Sequence, residues 1–155
     1  MEFNVKNVQT LTEKHYDLLL KADPSKNVIN SYLKRSAVFE ALDGDKLIGI
    51  LALLPTHPKT LEIINLAVID EYQKMGVGTE LVRFAIKMAT DNGYTSIEVG
   101  TGSTSFGALH LYQKCGFRMT SIDRDFFTRN YDKKLSENNL PLKDMVRLSL
   151  DIKQK

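Results

Sequence analysis

Asn65-Leu66-Ala67-Val68-Ile69-Asp70-Glu71-Tyr72-Gln73-Lys74-Met75-Gly76-Val77-Gly78-Thr79-Glu80-Leu81-Val82 is the stretch on which the fold turns. It begins as an apolar strand, passes through a polar turn and a pair of spaced glycines, and ends as a helix. A strand therefore delivers the backbone to a helix start. The N–H groups of a first helical turn lack partners within the helix and carry the positive end of its dipole, so they attract phosphate. Glycines there let a ligand approach the main chain. The stretch reads as an anion site for a nucleotide or a phosphate-bearing cofactor. Its plainer reading is a tight turn that caps a helix.

Upstream, Phe3, Val5 and Val8 suggest a short strand. Thr10 and Glu13 fit a capping box for a helix whose inner face carries Leu11, His15, Leu18, Leu19 and Ala22. Asp23 and Pro24 suit the cap and first position of a second helix, with Val28, Ile29, Tyr32 and Leu33 as its stripe. Residues 37–42 and 47–54 read as two strands around the turn Asp43-Gly44-Asp45-Lys46, whose Asp-Gly is a strong hairpin signal. Pro55 and Pro58 close that hairpin, with His57 in the loop between them, and a third strand runs from Leu61 to Ile69.

Downstream, the helix opened at Gly78 turns Leu81, Val82, Ala85, Ile86 and Ala89 inward and stops at Gly93, a left-handed cap position. A strand at 95–100 leads to the loop Thr101-Gly102-Ser103-Thr104-Ser105. The next helix carries Ala108, Leu111, Tyr112 and Cys115, and a strand follows at 118–125. Residues 126–140 read as irregular, and the last strand spans 145–152. The order is β-α-α-β-β-β-α-β-α-β-β. It predicts an α+β fold, a single mixed, mostly antiparallel twisted sheet flanked by helices.

Composition bounds the rest. The 155 residues suit one domain, residues 1–155. Net charge is +2, from 21 basic and 19 acidic side chains, too balanced for a nucleic-acid or membrane-surface binder. One cysteine excludes an internal disulfide and fits a reducing compartment. There is no leader pattern at Met1–Asn4, and no apolar run approaches the roughly 20 residues of a membrane span. The expectation is a cytoplasmic chain with neither nucleic-acid nor membrane partners.

Three glycine signatures compete for the turn. A P-loop needs Gly-x-x-x-x-Gly-Lys-Ser/Thr, which the chain lacks. A dinucleotide fingerprint needs a third glycine, where Leu81 stands, and parallel βαβ units rather than a hairpin upstream. What remains is Gln73-Lys74-Met75-Gly76-Val77-Gly78 after a strand of an antiparallel sheet. That motif resembles the pyrophosphate-binding turn of the GNAT superfamily, the acetyl-CoA-dependent N-acetyltransferases. Ala108-Leu109-His110-Leu111-Tyr112-Gln113-Lys114-Cys115-Gly116-Phe117 resembles the same family's second signature. Their spacing and the order of elements over nearly the whole chain resemble the family as well.

The resemblance implies an enzyme that moves an acetyl group from acetyl-CoA to a primary amine by direct attack in a ternary complex, without a metal. It places the pyrophosphate on Gln73, Lys74, Met75, Gly76, Val77, Gly78 and Thr79. It places the pantetheine arm on the backbone of Leu66, Ala67 and Val68, where the strand parts from its neighbour and the arm pairs as an extra strand would. One N–H there polarises the thioester carbonyl. Tyr112 takes the place of the family's thiolate protonator; a phenol with pKa about 10 is protonated at neutral pH. Otherwise it is a core tyrosine.

Ser105 occupies a position where many relatives carry an asparagine for the pantetheine. Glu62 is the candidate general base, and strict alternation sets it on one face with Ile64, Leu66 and Val68. It reads equally as a solvated strand residue. His110 falls on the wrong helix face for catalysis, and Cys115 reads as packed. The acceptor, a small-molecule or peptide amine, is framed in this fold by the helices near residues 23–33 and by loop 123–132. A homodimer is frequent in the family. The alternative is a non-catalytic acyl-CoA-binding module on the same fold.

Overall fold

The computed structural model describes residues 2–153. In chain order the elements are β1 (Asn4–Asn7), α1 (Glu13–Ala22), α2 (Lys26–Leu33), β2 (Ala37–Asp43), β3 (Lys46–His57), β4 (Thr60–Val68), α3 (Val77–Asp91), β5 (Ser96–Gly102), α4 (Phe106–Lys114), β6 (Arg118–Asp123), α5 (Phe126–Asn130), β7 (Leu135–Glu137), β8 (Leu140–Leu142) and β9 (Met145–Asp151). Seven strands form one sheet in the order β1-β2-β3-β4-β5-β9-β6, and β7 pairs with β8 apart from it. Only β4 and β5 run parallel, joined by the α3 crossover; every other neighbour is antiparallel. This is the α+β mixed sheet the sequence predicts.

The sheet is covered on both faces. The α3 and α4 helices bury Val77, Leu81, Val82, Ala85, Ala89 and Tyr112 with Ile63, Ile97, Val99, Val146 and Leu148. On the other face α1 and α2 bury Leu18, Leu19, Ile29, Tyr32 and Leu33 against Ile50, Ala52, Leu54 and Ala67. Among the described residues no helix is long and apolar enough to cross a membrane.

Several elements differ from expectation, each for a local reason. Thr12, not Thr10, caps α1. Its backbone N–H donates to His15 Nδ1 at 2.9 Å, so His15 fills the place expected of Glu13. The fit is tertiary, since buried His15 also reaches Glu40 at 3.4 Å. Ser25, not Asp23, caps α2: the Val28 N–H donates to Ser25 Oγ at 3.2 Å. β3 runs through Pro55 to His57, which pairs with Thr60 across a register shift; His57 is therefore a strand residue. Residues 126–140, expected to be irregular, hold α5 and the β7–β8 hairpin. The hairpin turns on Asn138 and Asn139, both left-handed at φ 55 and 61, the conformation a two-residue type I′ turn demands and asparagine tolerates.

Candidate active site

The centre of the molecule is a split in its sheet. β4 and β5 pair from Thr60↔Ser96 to Ile63↔Val99. Beyond that point β4 continues to Val68 beside β3 alone, while β5 continues to Gly102 beside β9. The parting coincides with a bulge in β4: Ala52 opposes Asn65 and Leu53 opposes Ile63, which leaves Ile64 unpaired. An extra residue bends a strand and ends its pairing on the far side.

The bulge also corrects the alternation expected for β4. Ile63, Leu66 and Val68 pack on the α3/α4 side, and Ile64 and Ala67 on the α1/α2 side. Glu62 belongs with Ile64, not with Leu66 and Val68. A strict period of two misses this, because one inserted residue inverts every side chain beyond it.

The glycine turn closes the wide end of the split. Asp70–Tyr72 form a 3-10 turn, pinned by Lys21–Asp70 at 2.7 Å, Lys46–Glu71 at 3.1 Å and the Tyr72 hydroxyl on Asp43 at 2.5 Å. The Gln73 amide folds back and donates to the Val68 carbonyl at 3.1 Å. Lys74 is left-handed at φ 64, and Gly76, the cap of α3, at φ 87. No side chain caps this helix, and its first backbone bond runs from the Glu80 N–H to Gly76 O at 3.1 Å. The N–H groups of Val77, Gly78 and Thr79 are thus turned toward whatever lies before the helix. Gly78 also sets the packing of the two helices. An added Cβ would stand 3.3 Å from Leu111 Cδ2, so its absence lets α3 and α4 approach.

That approach brings the second motif to the same place. Tyr112 is buried beside Leu111 in α4, its ring edge-on to Phe117 with centroids 5.7 Å apart. Burial, and then the neighbouring Cys115, push its phenol above the ordinary value. Its hydroxyl has no protein hydrogen-bond partner among the described residues. Ser105 caps α4 without a side-chain bond to it, and its Oγ would lie 2.7 Å from a Cβ on Gly102, at the end of β5. The Gln73–Thr79 turn, the Leu66–Val68 edge, Ser105 and Tyr112 thus all belong to the α3/α4 side of the split or to its rim.

The α1/α2 face is polar near the split. Arg147 of β9 reaches Glu62 Oε1 at 3.0 Å and Oε2 at 3.3 Å, and Glu98 at 3.3 Å. It crosses Gly100, where any Cβ would meet Arg147 Nη1 at 2.7 Å and Met145 Sδ at 2.5 Å. Glu62 is therefore buried and gripped at both oxygens, not solvated. Further along, Asn65 Nδ2 donates to Leu19 O at 3.0 Å and to the Tyr32 hydroxyl at 3.1 Å. Tyr32 donates to Asp23 Oδ2 at 3.1 Å, and Tyr131 to Asp23 Oδ1 at 2.7 Å. Asn65 Oδ1 is buried without a partner among the described residues. Burial raises the Asp23 carboxyl above its ordinary value against the lowering effect of these hydrogen bonds.

This Asp23–Tyr32–Tyr131–Asn65 network has no signature in the sequence. The two segments expected to frame an acceptor do meet in it, through a bond spanning 108 positions. A cavity of about 550 Å³ lies beside it, lined by Phe127, Tyr131, Leu135 and Leu142. His110 stands exposed on α4, and Cys115 is half-buried against the core. No cluster of His, Cys, Asp and Glu able to hold a metal stands among the described residues.

A split sheet ending in an uncapped helix start fits a long ligand with a phosphate at one end. Residues 7–117 match the acetyltransferase (GNAT) family. Over 137 residues the chain is 51% identical to the uncharacterized N-acetyltransferase YvbK of Bacillus subtilis (strain 168), covering 88% of each chain. A Bacillus subtilis acetyltransferase crystallised in complex with CoA superposes with a TM-score of 0.94 at 46% identity, over 98% of this chain and 100% of that one. A GNAT family acetyltransferase from Elizabethkingia anophelis with acetyl-CoA bound superposes with a TM-score of 0.92 at 38% identity, over 96% and 97%. The chain belongs to the GNAT family of acetyltransferases.

Proposed function

We propose that the chain is a single-domain N-acetyltransferase over residues 1–155, which carries acetyl from acetyl-CoA to a primary amine by direct attack in a ternary complex. The observation that carries this reading is the parting of β4 from β5 after Ile63 and Val99, with the uncapped Gly76 helix start at its open end. CoA and acetyl-CoA in the two similar structures support the choice of donor. Acetyl-CoA supplies an activated thioester and a thiolate leaving group.

Each residue then has a defined role. The N–H groups from Met75 to Thr79 hold pyrophosphate, with Lys74 and the Thr79 hydroxyl assisting and Gln73 fixing the turn to Val68. The freed backbone of Leu66, Ala67 and Val68 orients the pantetheine as an added strand, and one N–H faces the carbonyl oxygen. Ser105 offers its hydroxyl to the arm. Tyr112, kept protonated by burial, donates to the departing sulfur. Glu62, held by Arg147, receives the amine proton through water. Asp23, with its two phenols, makes the acceptor side anionic and favours a cationic amine, as a free small molecule or on a peptide.

Thermal unfolding with added nucleotides tests the donor. Acetyl-CoA raises the melting temperature well above the values with NAD or ATP. Equal shifts for all three, or none, contradict the reading. A shift without any thiol release on adding amines indicates a non-catalytic acyl-CoA-binding module.

A further inference from the structure

We infer that the outer edge of β6 is the surface on which two copies of this chain pair, strand to strand, about a two-fold axis. β6 ends the sheet, bonded to β9 on one side only. Met119 and Ile122 on this strand are 54% and 63% exposed, the most exposed large apolar side chains among the described residues. Phe106, at the start of α4 on the same side of the sheet, is exposed as well.

The sequence of β6 is complementary to itself in one register. Met119 opposes Leu148 and Ser121 opposes Arg147, so Thr120 is an inserted residue without a β9 partner in register. The insertion puts Met119 and Ile122 on one face, since their partners Leu148 and Val146 both lie in the core under α3 and α4. It puts Arg118 and Asp123 on the other face, opposite Ser149 and Met145.

Residues directly opposed in an antiparallel pair share a face. An antiparallel pairing centred between Thr120 and Ser121 opposes Met119 to Ile122, Arg118 to Asp123 and Thr120 to Ser121, each twice. Without the inserted residue those pairs would fall on opposite faces. Arg118 has no ion pair or hydrogen bond among the described residues, and Asp123 shares its charge with Arg129 at 2.7 Å. A bulge can blunt an edge; this one instead sets the two apolar side chains together. A two-fold contact uses one patch twice, which favours a second copy over an unrelated strand.

Light scattering and sedimentation on the full chain test the pairing. Wild type at micromolar concentration runs at twice the chain mass. Ile122→Lys and Arg118→Glu, both at exposed positions, each weaken the dimer at least about tenfold while the circular dichroism spectrum stays that of the folded chain. Met119→Cys combined with Ile122→Cys gives, on oxidation, a cross-link from position 119 of one copy to 122 of the other, identified by peptide mass. A monomeric wild type, a dimer insensitive to Ile122→Lys, or a cross-link at other positions overturns the inference. Cofactor binding and turnover are read separately, so this outcome does not depend on the chemistry proposed above.

Discussion

The two sides of the split between β4 and β5 are assembled by different rules. The side facing α3 and α4 is built from contiguous segments: one turn, one helix start, and one helix that packs on it where Gly78 meets Leu111. The side facing α1 and α2 is built from single residues on separate elements, Asp23, Tyr32, Asn65 and Tyr131, joined only by hydrogen bonds. In the proposed reading the donor's phosphate meets backbone, whose geometry a short motif can specify, and the acceptor meets side chains, which any element can supply.

Substitutions on the first side should then act on donor binding. Gly76→Asp has the largest expected effect. The site is open to a Cβ, so the fold survives apart from a left-handed strain of about 1 kcal/mol, while a carboxylate now repels phosphate. Stabilisation by acetyl-CoA at a hundred times its Kd, about 2.7 kcal/mol, should vanish in a thermal shift. A full shift would mean the phosphate lies elsewhere. Gly78→Glu should also abolish the shift, but it crowds Leu111 and is the less selective test.

Tyr112→Phe separates proton donation from packing, because the ring and its contact with Phe117 remain. Turnover should fall by about 100-fold with acetyl-CoA affinity unchanged by calorimetry. Unimpaired turnover rules out the proton role.

On the second side, Tyr131→Phe removes one bond to a buried carboxyl. It should cost about 1 kcal/mol of stability and raise KM for the acceptor while sparing acetyl-CoA affinity. A change in donor affinity instead would erase the division between the sides.

The smallest effect is in pH dependence. Because the native state keeps the Asp23 proton to higher pH than the unfolded chain does, this group's contribution is fully present below about pH 4 and is lost as pH rises through the raised value. Asp23→Asn should flatten that fall in urea midpoints. An unaltered slope would show that Asp23 ionises as it does in the unfolded chain.

Most of the fold is legible in the sequence because it is written in local signals. Asp43-Gly44 marks the β2–β3 hairpin, and spaced apolar residues mark α3. The donor-side candidates are legible as two motifs in order. What is not legible depends on tertiary context. The insertion at Ile64 has no composition of its own, so alternation places Glu62 on the wrong face, and its ion pair with Arg147, 85 positions away, has no local sign. Asp23 looks like a helix cap because Asp-Pro commonly is one; its carboxylate is instead drawn to two tyrosines. The Asn138-Asn139 turn does carry a local signal, one masked by the polar stretch around it.

Thiol release from acetyl-CoA across a panel of amines, followed for wild type and for Tyr112→Phe, tests the central claim most directly. Primary amines should accelerate release many-fold over water in the wild type, and the Tyr112→Phe variant should lose most of that acceleration while still binding acetyl-CoA. Release that no amine accelerates, with acetyl-CoA firmly bound, would contradict the assignment of this chain as an N-acetyltransferase.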